Sequence, residues 1–209
     1  MGLTLANRIT ILRVLFIVPF VILMFNTHVD KYGNSMRYAA FVIFVLMAVS
    51  DGIDGYLARK KGQATKLGSF LDPMADKLLM TCALLLLSSQ RAGIQGFILP
   101  ITVVVIIIGK DLFLLMGFII VYFVTQQVTI TPAFLGKLST TLQLIMVSAI
   151  LLAPEISVVI PVWIWVLRIL WWSAVGSAVL TTLLYVRMGT KQVAEYEAKL
   201  AMQNTETLH

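Results

Sequence analysis

Asp51 and Asp54, three residues apart, and Asp72 and Asp76, four apart, sit in or beside segments that are otherwise almost wholly apolar. Each spacing puts its pair on one face of a helix. A carboxylate in or near hydrocarbon is costly and is kept only when it is paired, metal-bound or turned toward a wet cavity. Four so close together cannot all ionise without compensating charge, and divalent cations supply it. An all-oxygen donor set suits Mg²⁺ or Mn²⁺ and disfavours zinc, whose sites usually include His or Cys. Neither His28 nor His209 is placed to join it. Aspartates on two paired helices could hold two ions around a diphosphate.

The neighbouring residues fit that chemistry. Gly52, Gly55, Ala58 and Gly68 thin the helix surfaces beside the carboxylates, so a ligand or another helix can approach the backbone. Arg59 carries the planar fork that grips phosphate oxygens. Pro73 lies between Asp72 and Asp76, where it can kink its helix. Residues 60–65, Lys-Lys-Gly-Gln-Ala-Thr, form a turn signal that returns the chain antiparallel and brings the two acidic faces together.

The elements that must position these residues are membrane helices. The chain is 59% hydrophobic and 12% charged, with a mean hydropathy of +0.94, whereas soluble domains average about 25% charged residues. It reads as an all-α integral membrane protein, a six-transmembrane-helix bundle spanning roughly 9–25, 38–58, 68–87, 97–124, 138–153 and 159–186. The fifth span is short and the sixth long, which allows tilt or re-entry there. A membrane domain over 1–189 and a polar cytoplasmic tail over 190–209, read as a frayed surface helix, complete the organisation.

Lys and Arg in the connections set the orientation. Arg8, Arg59, Lys60, Lys61, Lys66, Lys137, Arg187, Lys191 and Lys199 fall on one side, against Lys31, Arg37 and Arg91 on the other. Both termini and the acidic cluster should therefore face the cytoplasm, at a bacterial inner membrane or its organellar equivalent. The net charge of +6 is then explained by topology and anionic lipid headgroups, with no nucleic-acid partner. Trp163 and Trp165 suit an aromatic belt at the outer interface, and Trp171 and Trp172 suit packing at greater depth. Cys82 in its apolar run reads as a small core residue.

The run Asp-x2-Asp-Gly-x2-Ala-Arg-x8-Gly-x3-Asp-x3-Asp from Asp51 to Asp76 resembles the signature of the CDP-alcohol phosphatidyltransferases, with every defining position filled. The resemblance implies a six-helix membrane enzyme that transfers a phosphatidyl group from CDP-diacylglycerol to an alcohol and releases CMP. It makes Asp51, Asp54 and Asp72 ligands of a pair of Mg²⁺ or Mn²⁺ ions. Asp76 would border the metals and act as the base for the acceptor hydroxyl. Gly55, Ala58, Arg59 and Gly68 would line the CDP-diacylglycerol pocket, and a homodimer is compatible with the family.

Three further segments are similar to the branch holding the phosphatidylglycerophosphate and cardiolipin synthases: residues 7–13, residues 71–78 and residues 136–143. That branch often has Arg before an acidic residue in the fourth span, where this chain has Lys110-Asp111. Lysine keeps the charge and loses the bidentate fork. Lys110 and Lys137 are the candidate contacts for an acceptor phosphate, and Lys110-Asp111 also reads as a polar pair within the bundle. Glycerol 3-phosphate, with two negative charges, is the favoured acceptor. Phosphatidylglycerol, as in a cardiolipin synthase, is the alternative. A divalent-cation transporter is the reading from a different class. A purely structural cluster could neutralise one Asp with Arg59 and one with Lys77, which leaves two charges uncompensated.

Overall fold

The computed structural model describes residues 5–28, 32–61, 66–125 and 134–206, with side chains except those of 5–11, 13, 51–74, 76, 118, 122, 124–125, 134–135 and 199–206. Seven helices follow one another: α1 Leu5–Phe25, α2 Gly33–Lys61, α3 Lys66–Ser88, α4 Ile101–Thr125, α5 Phe134–Leu151, α6 Ala153–Val159 and α7 Trp163–Glu206. Among the described residues there is no strand.

The core is a set of helical stripes. Ile17, Phe20 and Met24 of α1 face Ala40, Phe44 and Met47 of α2, with the rings of Phe20 and Phe44 6.0 Å apart. The chain reverses between these helices so tightly that a Cβ on Gly33 would lie 2.3 Å from the Thr27 carbonyl oxygen, so only glycine fits. Leu79, Met80, Ala83, Leu84 and Leu87 bury a wide arc of α3. The 89–100 connection folds back as a plug, with Ala92, Ile94 and Leu99 buried and the Leu99 amide donating to the Leu87 carbonyl at 3.1 Å. α7 packs most broadly, against both α4 and α5.

The outward surface is also apolar. Leu15, Val18, Leu46, Val105, Phe123 and Ile169 are all more than half exposed, a surface suited to lipid and not to water. Segments Gly33–Ser50, Ile101–Val121 and Trp163–Ala198 are long and apolar enough to cross a membrane. A fourth crossing is formed if Gly136–Leu151 and Ala153–Val159 count as one span, bent by 73°. Val14–Phe25 and Lys77–Ser88 are shorter apolar helical stretches. The protein is thus an all-helical membrane protein with three or four such spans among its described residues.

The far end of the bundle differs from expectation. Residues 154–158, left between the fifth and sixth expected spans, belong to α6, and the helix expected from residue 159 starts at Trp163. Pro154 lacks an N–H, and its ring would strike the carbonyl of Ile150, so α5 cannot continue through it. The chain bends at Leu152 instead. α6 is clamped to the start of α2. Arg37, whose side chain is 7% exposed, pairs with Glu155, and the Tyr38 hydroxyl donates to the same carboxylate at 2.7 Å. Glu155→Ala would leave the Arg37 guanidinium buried without its anion. It should lower unfolding free energy by about 3 kcal/mol, read from thermal unfolding in micelles; a midpoint equal to wild type would show that the clamp is dispensable.

At the other end, α7 runs unbroken past residue 189 to Glu206, so residues 190–206, expected as a frayed surface helix, are continuous with the helix before them. A Cβ on Gly189 would stand 3.6 Å from Val121 of α4, so the helices remain in contact there. Beyond it, Lys191 and Glu195 pair at 3.7 Å across one turn, in a run of good helix formers. Trp171 is buried, as expected. Trp172 is 60% exposed, because adjacent helical residues point about 100° apart. Trp165 faces outward with the Arg168 guanidinium 4.8 Å above its ring.

Candidate active site

α2 and α3 carry the acidic motif near the ends joined by residues 62–65. Asp51 and Asp54 lie in the last part of α2, and Asp72 and Asp76 in the first half of α3. At 1.5 Å per residue, Asp54 stands about 10 Å from the Lys61 end of α2 and Asp72 about 9 Å from the Lys66 end of α3. Asp51 and Asp76 each stand about 15 Å from those same ends. The two helices touch, and α1 packs broadly against both. The four aspartates therefore stand at similar distances from the Lys61 end of α2 and the Lys66 end of α3, two helices that touch. That placement and their hard oxygen donors fit a divalent-cation pair.

The side chains of Asp51, Asp54, Arg59, Asp72 and Asp76 lie outside the described residues, as do the surroundings of Gly55, Ala58 and Gly68. Among the described residues no other group of three or more His, Cys, Asp or Glu could hold a metal ion.

Immediately after Asp76 the side chains are defined. Lys77, next to Asp76 on α3, donates to Asp111 Oδ1 on α4 at 2.8 Å. Lys110 Nζ lies 3.0 Å from the same oxygen. The sequence reading allowed Lys77 to neutralise one of the four aspartates; its ammonium is instead held by Asp111. The reason is rotation. Lys77 is turned about 100° from Asp76, toward the helix α3 meets next in the chain. Lys110-Asp111 is thus more than a local pair, because it also joins two helices. The partnership escaped sequence reasoning because its members are separated by 34 positions.

Lys137 lies exposed near the start of α5. A Cβ on the preceding Gly136 would come within 3.3 Å of the Tyr185 hydroxyl oxygen, which brings α7 close against that end of α5. One turn further, Ser139 and Gln143 are fully buried, with the Gln143 amide donating to the Ser139 hydroxyl at 3.2 Å. Lys110 and Lys137, the two candidate acceptor contacts, thus differ in setting: one sits deep in the bundle and the other at its mouth.

An apolar groove of about 350 Å³ runs between α2 and α5. On α2 it extends from Phe41 to Val49, two residues short of Asp51, and Leu152, Ile156 and Trp163 line its other end.

Comparison with known proteins gives a consistent answer. A model of the CDP-alcohol phosphatidyltransferase family matches residues 3–187. The chain is 36% identical over 155 residues to the CDP-diacylglycerol--glycerol-3-phosphate 3-phosphatidyltransferase of Bacillus subtilis, covering 71% of this chain and 76% of that protein. It is 42% identical over 106 residues to the Pseudomonas fluorescens protein of the same name, about half of each chain at 51% and 50%. A probable phosphatidylglycerophosphate synthase of Mycobacterium tuberculosis is 32% identical over 149 residues, which is 71% of this chain and 66% of that one.

Proposed function

Because the chain belongs to the CDP-alcohol phosphatidyltransferase family, we propose that it transfers the phosphatidyl group of CDP-diacylglycerol to glycerol 3-phosphate, giving phosphatidylglycerophosphate and CMP. The observation that carries this reading is the complete acidic motif, carried on two helices that touch, in a chain similar to enzymes named for that reaction. The cation-transport reading is left without support.

In this reading Asp51, Asp54, Asp72 and Asp76 hold two divalent ions, Mg²⁺ or Mn²⁺. When bound, such ions neutralise a diphosphate and stabilise a departing phosphate. Arg59 grips the donor's phosphates, and Gly55, Ala58 and Gly68 leave room for the nucleotide against the backbone. Asp76 accepts the proton of the acceptor's primary hydroxyl. The hydroxyl oxygen attacks the phosphorus bonded to the diacylglycerol, the bond from that phosphorus to the bridging oxygen breaks, and CMP departs with the electron pair. The groove along α2 takes a donor acyl chain, since it is apolar, lies among membrane spans and ends beside Asp51.

Six crossings complete the architecture: α1, α2, α3, α4, the bent α5–α6 pair and α7. Residues 1–189 form the membrane domain, and residues 190–209 a cytoplasmic tail built on the end of α7. The Lys- and Arg-rich ends face the cytoplasm and the site opens there, where a water-soluble acceptor meets a lipid donor. Outward apolar faces meet membrane lipid, and the assembly is a homodimer.

Purified full-length protein, CDP-diacylglycerol, Mg²⁺ or Mn²⁺ and a panel of acceptors provide the test. Glycerol 3-phosphate should support CMP release and yield a product of the mass of phosphatidylglycerophosphate. Release with phosphatidylglycerol alone would replace that acceptor, and no release with any acceptor would end the enzyme reading. Lys137→Ala should raise the KM for glycerol 3-phosphate about tenfold through loss of one charge-assisted contact. An unchanged KM would place the acceptor phosphate elsewhere.

A further inference from the structure

The ion pairs between α3 and α4 have an unusual composition. Lys77 and Lys110 both reach the single oxygen Oδ1 of Asp111, at 2.8 and 3.0 Å. Among the described residues this cluster holds two positive charges and one negative. The Lys110 side chain is 4% exposed and that of Asp111 14%, whereas that of Lys77 is 42% exposed. A surplus positive charge among membrane helices is costly unless something anionic meets it.

The geometry of Lys110 is also informative. Consecutive residues on a helix do not face one another, yet the Lys110 ammonium lies against the carboxylate of the very next residue. Its flexible stem must bend sideways to reach there, and Asp111 is what draws it toward α3. Lys77 in turn follows Asp76 directly, so Asp111 also ties the helical turn carrying Asp76 to α4. Along α3, Asp72 and Lys77 are separated by about 7.5 Å of rise, which places the bridge just beyond the acidic positions.

We propose that Asp111 is a positioning residue for the acceptor: by holding the Lys77 and Lys110 ammoniums on one oxygen, it presents a single surplus positive charge beside Asp76 to the anionic group of a phosphate-bearing acceptor. The inference rests on the acceptor reading above. It adds that Lys77 and Asp111, which need touch neither substrate, set where Lys110 stands and so influence acceptor affinity. Metal binding and donor binding do not depend on the bridge.

Steady-state kinetics of CMP release by the purified full chain test this, with glycerol 3-phosphate and CDP-diacylglycerol varied in turn. Asp111→Asn should raise the KM for glycerol 3-phosphate about tenfold while that for CDP-diacylglycerol changes less than about twofold. Asp111→Glu, which keeps the charge, should recover most of the loss. Lys77→Gln leaves Lys110 and Asp111 as a neutral pair, so it folds even if Asp111→Asn does not, and should raise the same KM about threefold. The double variant Lys77→Gln/Asp111→Asn should be no worse than Asp111→Asn alone, because both changes break one bridge. Equal changes in both KM values, additive losses in the double variant, or no rescue by glutamate would each overturn the proposal and reduce the bridge to packing. A wild-type protein that releases CMP only with an uncharged acceptor defeats the acceptor reading itself, and the role of Asp111 falls with it. That result is distinct from a normal wild-type KM for glycerol 3-phosphate that the variants leave unmoved.

Discussion

Asp76→Asn should cut the rate of CMP release by about 10²- to 10⁴-fold, the contribution expected of a positioned general base. The substitution is nearly isosteric, so it removes proton affinity and one negative charge without opening a cavity. Asp76 lies farther than Asp72 from the Lys66 end of α3 and directly before Lys77. In the proposed reading the base meets an acceptor held by the surplus charge of the Lys77 and Lys110 ammoniums, while the donor diphosphate lies nearer the helix ends. CDP-diacylglycerol binding by the variant should therefore remain near that of wild type. Asp72→Asn, nearer the Lys66 end, should weaken donor binding as well as turnover. Paired binding and single-turnover measurements distinguish the two. Near-normal turnover by Asp76→Asn would remove it from the role of base.

Exhaustive chelation should have an effect of similar size, abolishing CMP release until Mg²⁺ or Mn²⁺ is restored. Four carboxylates on two adjoining helices repel one another when no cation lies between them, so the loss should extend beyond catalysis. A cation at a hundred times its dissociation constant contributes about 2.7 kcal/mol to the folded state. Chelation should lower the thermal midpoint in micelles accordingly, and readdition should return it. Zinc should restore neither quantity fully, since the site offers no nitrogen or sulfur donor. Full activity in the chelated protein would show that the aspartates serve another purpose, whatever the family resemblance.

The bridge at Asp111 and the clamp at Glu155 share a physical form. Each is an ion pair in a membrane bundle that ties together helices distant in sequence. They differ in balance. Arg37 and Glu155 match one charge with one, which suits a fastening. Among the described residues Lys77, Lys110 and Asp111 leave one positive charge over, the charge proposed to meet the acceptor.

The acidic motif was legible because its chemistry is written in local spacing. Asp51 with Asp54 and Asp72 with Asp76 need only helical periodicity to share a face, and a short connection to become neighbours. Membrane class and helical content followed just as directly, from apolar runs of spanning length. Pro154 announced a break, but its consequence, a short α6 folded back at 73°, depended on Arg37 and Tyr38 being in reach of Glu155. The approach of Gly189 on α7 to Val121 of α4, far away in sequence, likewise could not be read from either segment alone.

Lys77 marks the boundary between the two kinds of knowledge. Its place after Asp76 was visible in the chain, and its charge suggested a partner among the adjacent aspartates. Only the packing of α3 on α4 decided that the partner is Asp111. Backbone hydrogen bonding makes helices a property of local sequence, whereas an ion pair forms wherever the fold brings opposite charges within a few ångströms. The amino-acid order by itself marked the residues proposed to hold cations and a diphosphate; tertiary structure decided that Lys77 and Lys110 meet on Asp111.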